Sequence, residues 1–202
     1  MMNREMMELA MRQSAEDMGC RVEDFKADKN VVVPINLGKK ARKYLKEPIT
    51  CNLVSYGNNI MAASIPETMD LVSAYVDKFE FYHCFETPNM HWLNERLAEK
   101  GHKICFMAEY YLPDISRIPT LSCAYETRVL TQEDFVGFVS TGMEQCALSK
   151  LGKILDVLGV GAYDGNNSDR TCRLFLPIVD DMWQIGVDVL SGIQTTGELP
   201  LH

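Results

Sequence analysis

Carboxylates, imidazoles and thiols cluster in this sequence at three places where their spacing could support chemistry. Asp188 stands inside residues 182–190, between Val187 and Val189, in an otherwise apolar segment of alternating valines. Strand alternation turns it away from those valines, so its carboxylate lies either at a cleft or on the polar face of a sheet. His83 and Cys84 are adjacent, with Glu86 and His91 close in sequence. A thiolate beside an imidazole could act as a nucleophile pair. Residues 79–85 are rich in aromatics and read as a packed strand, however, and neighbouring strand residues point to opposite faces. Packing or pocket lining is therefore the expected role of the cluster, and no esterase activity at Cys84 is expected. Glu133, Asp134, Asp180 and Asp181 offer carboxylates for proton transfer, but helix caps and surface charges are their expected roles. His83, His91 and Cys105 lack zinc-like spacing, so no metal site is expected.

The elements that must position these groups follow from periodicity and punctuation. Residues 3–18 predict an amphipathic helix with Met6, Met7, Met11 and Met18 as core contacts and Gly19 as the stop. Val31, Val32 and Val33 predict a short strand ended by Pro34. Residues 49–56 and 60–65 predict two strands joined by a turn at Gly57-Asn58-Asn59. Pro66 opens a helix running to Phe79. Thr87 as cap, Pro88 as first residue and Gly101 as stop frame another. Residues 102–111 predict a strand ended by Pro113, and 113–123 a linker. Further strands are expected at 125–130, 155–163 and 182–190, with a helix capped by Thr131 after the first and a hairpin turn at 164–166. The basic run 38–43 lacks the spacing of a phosphate loop and reads as a solvated helix face.

Composition narrows the function classes. The 202 residues are 47% hydrophobic, enough for a substantial core, and carry a net charge of −8. With a pI near 5.0, the chain lacks the basic stripe a nucleic-acid binder needs. No apolar run approaches a membrane span and no signal peptide is expected. Seven cysteines, an odd number without a C-x-x-C pair, point to reduced thiols and a cytoplasmic setting.

Three stretches of the second half resemble the GNAT superfamily of N-acetyltransferases. Residues 125–135 look like that fold's opening strand and first helix, 158–165 like its second strand and turn, and 182–190 like its fourth strand. Residues 48–112, above all 79–93, resemble the N-terminal region of a bacterial subgroup. The resemblance implies transfer of an acetyl group from the cosubstrate acetyl-CoA to a small-molecule or peptide amine. It implies that the backbone of Val187, Asp188, Val189 and Leu190 pairs with the pantetheine arm, and that Asp188 serves as base or amine ligand. It also implies a pyrophosphate loop of the form Arg/Gln-x-x-Gly-x-Gly/Ala after the fourth strand. Gln194 and Gly197 fit that spacing, but Glu198 brings a negative charge where phosphates would sit.

The expected fold is therefore α/β (α+β): an N-terminal α+β region at 1–118, then an incomplete GNAT-like mixed sheet with flanking helices at 124–202. The core is expected to be truncated or frame-shifted. Ser191 to Gly197 can be encoded so that the +1 frame reads P-E-Y-R-R-R-G, and Glu198 to His202 so that another frame reads I-A-S-A. Acetyl-CoA binding is accordingly expected to be weak or absent. The expected alternative is a non-catalytic interaction protein that can form a homodimer.

Overall fold

The computed structural model describes residues 3–42, 48–118, 125–131, 133–134 and 158–163, and the backbone of 169–179 and 182–189. The chain is of α+β class and forms two compact units, Met1–Ile118 and Pro119–His202.

In the first unit, α1 (Asn3–Met18) ends where the sequence places Gly19. The Gly19 and Cys20 amides both donate to the Ala15 carbonyl, at 2.8 and 3.2 Å. Gly19 takes φ +76°, and a Cβ there would lie 2.2 Å from the Asn36 carbonyl oxygen, so glycine is required twice over. Strands β1 (Val31–Pro34), β2 (Cys51–Val54) and β3 (Met61–Ser64) form a sheet of order β1-β3-β2. β1 runs parallel to β3 and β2 antiparallel. Pro66 stands in the first turn of α2 (Pro66–Lys78), and Pro88 does the same in α3 (Thr87–Ala98). His102 donates to the Leu97 carbonyl at 2.9 Å, closing α3 with Gly101 at φ +78°.

The central strand β3 is buried along its whole length, and its alternation divides the core. Ile60 and Ala62 face a cluster with Val72, Tyr75 and Val76 of α2 and Leu93 and Leu97 of α3. Met61 and Ala63 face Met11, Ala15 and Met18 of α1, together with Phe25. The sheet is thus covered on both faces, and small alanines on β3 let the helices approach closely. Met11 and Met18 are core contacts as expected, whereas Met7 is exposed.

Four expectations fail in this unit. Thr87 is the first residue of α3 and not its cap, which is Glu86. Residues 79–85 are not a strand: they pack as a short connection between α2 and α3 with a 3-10 turn at Phe81–His83. There the Tyr75 hydroxyl donates to the Cys84 carbonyl, a side-chain bond in place of a ladder. Residues 102–111 hold no strand either. His102 Nδ1 meets Thr50 Oγ1 at 2.9 Å and the Ile104 amide donates to Asn94 Oδ1 at 2.8 Å, so side chains anchor the segment without strand pairing. Nor are residues 38–42 a helix. They turn against α1: Gly38 donates to the Glu16 carbonyl at 2.7 Å, and the Arg42 amide to Asp17 Oδ1 at 2.8 Å. Lys39 and Lys40 are exposed as expected of a solvated run, but the Arg42 Nε–Asp17 Oδ2 pair, 2.8 Å apart, is largely buried.

In the second unit, β4 (Glu126–Leu130), β5 (Leu158–Tyr163), β6 (Asp169–Val179) and β7 (Met182–Val189) form an antiparallel sheet in chain order. Strands appear within the expected 125–130, 155–163 and 182–190, of which 155–157 and 190 lie outside the described residues. β6 adds one between them. The Thr131 amide and hydroxyl both donate to Asp134 Oδ2, at 2.7 and 2.9 Å, in the turn where the helix was expected to start. The remainder of that helix, the turn at 164–166, Asp180, Asp181 and Leu190 lie outside the described residues.

Candidate functional site

The register of the second sheet fixes what accompanies Asp188. Asp188 pairs with Cys172, Cys172 with Gly161 and Gly161 with Arg128. Directly paired residues share a face. Asp188 and Arg128 therefore lie in one row, three strand spacings or roughly 14 Å apart. The neighbouring row joins Val187, Arg173, Val160 and Val129 on the opposite face. Asp188 thus lies in a different row from Val187, and its row crosses β5 at Gly161, on the face that β5 buries through Gly159, Gly161 and Tyr163.

On that face the side chains of β4 and β5 interlock. The Arg128 guanidinium stands 4.5 Å above the Tyr163 ring, and its Nε donates to Glu126 Oε1 at 2.8 Å. The hydrogen bond from Arg128, with its charge, holds the Glu126 carboxyl below the ordinary glutamate range. Tyr163 lies across Gly161 so closely that a Cβ there would be 2.7 Å from the phenolic oxygen. The small residue at 161 is what lets a tyrosine cover the row that leads to Asp188. This Arg128–Tyr163–Gly161 arrangement was missed from sequence. Its signal was the period of two in 158–163, which puts Gly161 and Tyr163 on one face.

β7 has β6 on one side, and among the described strands none on the other. Among the described strands, none pairs with Val187, Asp188 and Val189 on that side. Thr131 holds the Asp134 carboxyl below its usual range through its amide and then its hydroxyl. The helix that Asp134 was expected to cap lies outside the described residues, and Glu133 is exposed.

The cluster of the first unit is not assembled for nucleophilic catalysis. His83 Nδ1 lies 2.8 Å from Glu86 Oε1 at the surface, whereas Cys84 is 1% exposed and belongs to the core cluster. Burial pushes its thiol up to about 11, the wrong direction for a thiolate nucleophile. Among the described residues no group of three or more His, Cys, Asp or Glu side chains could hold a metal ion. Nor is any described helix long and apolar enough to cross a membrane. Compared with known proteins, the chain matches no family model, no curated protein and no solved structure.

Proposed function

We propose that residues 119–202 form the acetyl-CoA-binding part of a GNAT-type N-acetyltransferase, acting on a small-molecule or peptide amine in the cytoplasm and holding its cosubstrate weakly. The observation that carries the proposal is the place of β7: the last strand of an antiparallel sheet in chain order, with one backbone edge unpaired among the described strands. Extended amide-bearing ligands bind such edges by adding to the ladder. The order β4-β5-β6-β7 also agrees with the opening, second and fourth strands that the sequence resemblance assigns, with β6 as the third.

Acetyl-CoA supplies an activated acyl group as a thioester. The backbone of Val187–Val189, with Leu190 following, holds the pantetheine arm, and an amide N–H of this edge polarises the thioester carbonyl. Asp188 binds the acceptor amine or takes its proton. Glu198, within the segment that would cradle pyrophosphate, opposes it by charge. Nuclear magnetic resonance on the full chain tests this. Millimolar acetyl-CoA is expected to shift the amides of 187–190 selectively, and Glu198→Gly to tighten binding several-fold. No selective shift would remove the acyl-transfer reading. Micromolar calorimetric affinity of the unaltered chain would remove the weak hold alone.

One observation favours a second reading, a non-catalytic interaction module. Phe106, Tyr110, Tyr111 and Ile118 are all more than half exposed along one segment, a concentration that suits a contact surface. Light scattering after size exclusion decides whether the chain is a homodimer: a monomer at all concentrations leaves self-association without support.

A further inference from the structure

After α3 the chain returns to the start of β2, and side chains hold it there. His102 Nδ1 meets Thr50 Oγ1 at 2.9 Å, one residue before β2 begins. Two residues on, the Ile104 amide donates to Asn94 Oδ1 of α3 at 2.8 Å. Ile104 packs against the core cluster that contains Ala62, Leu93 and Leu97, and Cys51 and Leu53 of β2 pack against the same cluster. Thr50 and Cys51 are therefore neighbours of residues 102–105, although 52 positions separate Thr50 from His102.

Each of these two segments carries one free cysteine, half-buried Cys51 and exposed Cys105. Their sulfurs are close enough for one to act on the other. Burial first, and then the charge of a Cys105 thiolate, push the Cys51 thiol up to about 11. Such an influence falls off with distance and screening. At Cys20 the charged neighbour is Asp24 instead, and at Cys84 the cause is burial.

We propose that Cys51 and Cys105 form a reversible disulfide under hydrogen peroxide, which fastens residues 102–105 to β2. Exposed Cys105 reacts first. Its thiol takes one oxygen from the peroxide, giving a sulfenic acid and one water. The Cys51 sulfur then attacks the Cys105 sulfur. The S–S bond forms, the S–O bond breaks, and the oxygen leaves as a second water with the Cys51 proton. The two thiols lose two electrons and the peroxide gains them. A thiol reductant reverses the bond by exchange. The proposal stands apart from acyl transfer, because both cysteines belong to Met1–Ile118.

The test uses the full chain, reduced, freed of reductant, treated with hydrogen peroxide and digested with trypsin. Residues 47–78 hold Cys51 as their one cysteine, and 104–117 hold Cys105. Mass spectrometry is expected to find these two peptides joined as the main disulfide species. In urea the same treatment is expected to scatter links among the seven cysteines. The oxidised chain is expected to unfold at higher urea concentration than the reduced one, because the cross-link constrains the unfolded state. Cys105→Ser, altered at an exposed position, is expected to lose that gain. Absence of the 47–78/104–117 link, or a link no more selective in the folded chain than in urea, would overturn the pairing. An unchanged or lowered midpoint on oxidation, or a gain that persists in Cys105→Ser, would overturn the fastening.

Discussion

β3 and β7 are both strands of apolar character, and their surroundings make them opposites. β3 is flanked by β1 and β2 and covered by α1 on one face and by α2 and α3 on the other. Its backbone and side chains are all committed to the fold. β7 is paired with β6 alone among the described strands, so its other edge has no partner among them. A strand with every group committed can only be scaffold. A strand at an edge either binds a ligand, pairs with another chain or is shielded from doing so. The chemistry-bearing residues divide in the same way: Cys84 is absorbed into the core that β3 organises, whereas Asp188 lies in a register row that crosses the whole second sheet.

The contrast breaks most visibly if the core of the first unit is opened. Leu97→Ala is expected to cost about 3 kcal/mol, because Leu97 is 1% exposed within the α2–α3 cluster. Val129→Ala on the second sheet, at 67% exposure, should stay within about 0.5 kcal/mol. Chemical denaturation followed by circular dichroism measures both, and similar losses would erase the distinction between the units.

Next in size is the pair that fastens residues 38–42 to α1. Burial raises the Asp17 pKa and outweighs the hydrogen bonds and charge from Arg42 and Gln13. A folded-state pKa above the unfolded value means that deprotonating Asp17 costs stability as pH rises through that interval. Arg42→Ala removes the only charge partner that the buried carboxylate has among the described residues, while the residue-42 amide and Gln13 still donate to it, and should cost about 3 kcal/mol at neutral pH. Adding Asp17→Leu to Arg42→Met should restore most of it. Failure of the double variant to recover would show that Asp17 serves more than this pair.

Smaller effects sharpen the fate of the His83–Cys84 cluster. Tyr75→Phe strands the Cys84 carbonyl without its hydroxyl donor and should cost about 1–2 kcal/mol. Thiol labelling should modify exposed Cys105 well before Cys84. Fast labelling of Cys84 in the folded protein would revive a reactive role for it.

The least effect is expected at Asp24, whose carboxyl is held below its usual range first by the Arg21 side chain, despite opposing desolvation. A depressed folded-state pKa stabilises above the unfolded value near 3.8 and is lost as pH falls through the folded value. Asp24→Asn should therefore lose under about 1 kcal/mol at neutral pH, since Arg21 is exposed. The gap from the unaltered protein should close in acid. A gap independent of pH would assign the loss to the Arg21 amide contact instead of charge.

Much of this was legible because it is local. The prolines at 66 and 88 and the glycines at 19, 57 and 101 act through their own backbone angles, and α1, α2 and α3 begin or end beside them. Alternation at 158–163 and 182–189 identified strands because one period serves any sheet. The errors at 79–85 and 102–111 have a common cause. Aromatic and β-branched residues favour any half-buried extended surface, and only a partner strand turns that preference into a sheet. At the candidate site the position of Asp188 between valines was legible, whereas its row-mates Cys172, Gly161 and Arg128 were not. Register between separate strands is set by pairing across the sheet, not by neighbours in sequence.

The sequence alone determined the α+β class, the starts and stops of the helices, the alternation of the strands and the acidic balance, since each depends on residues a few positions apart. Only the tertiary structure decided that Arg42 is bound to Asp17, that Cys84 is core, that Asp188 shares a row with Arg128 and that Cys51 and Ile104 pack against one cluster. Those outcomes join segments far apart in the chain. Burial and pairing are properties of the packed molecule, and no window of sequence contains them.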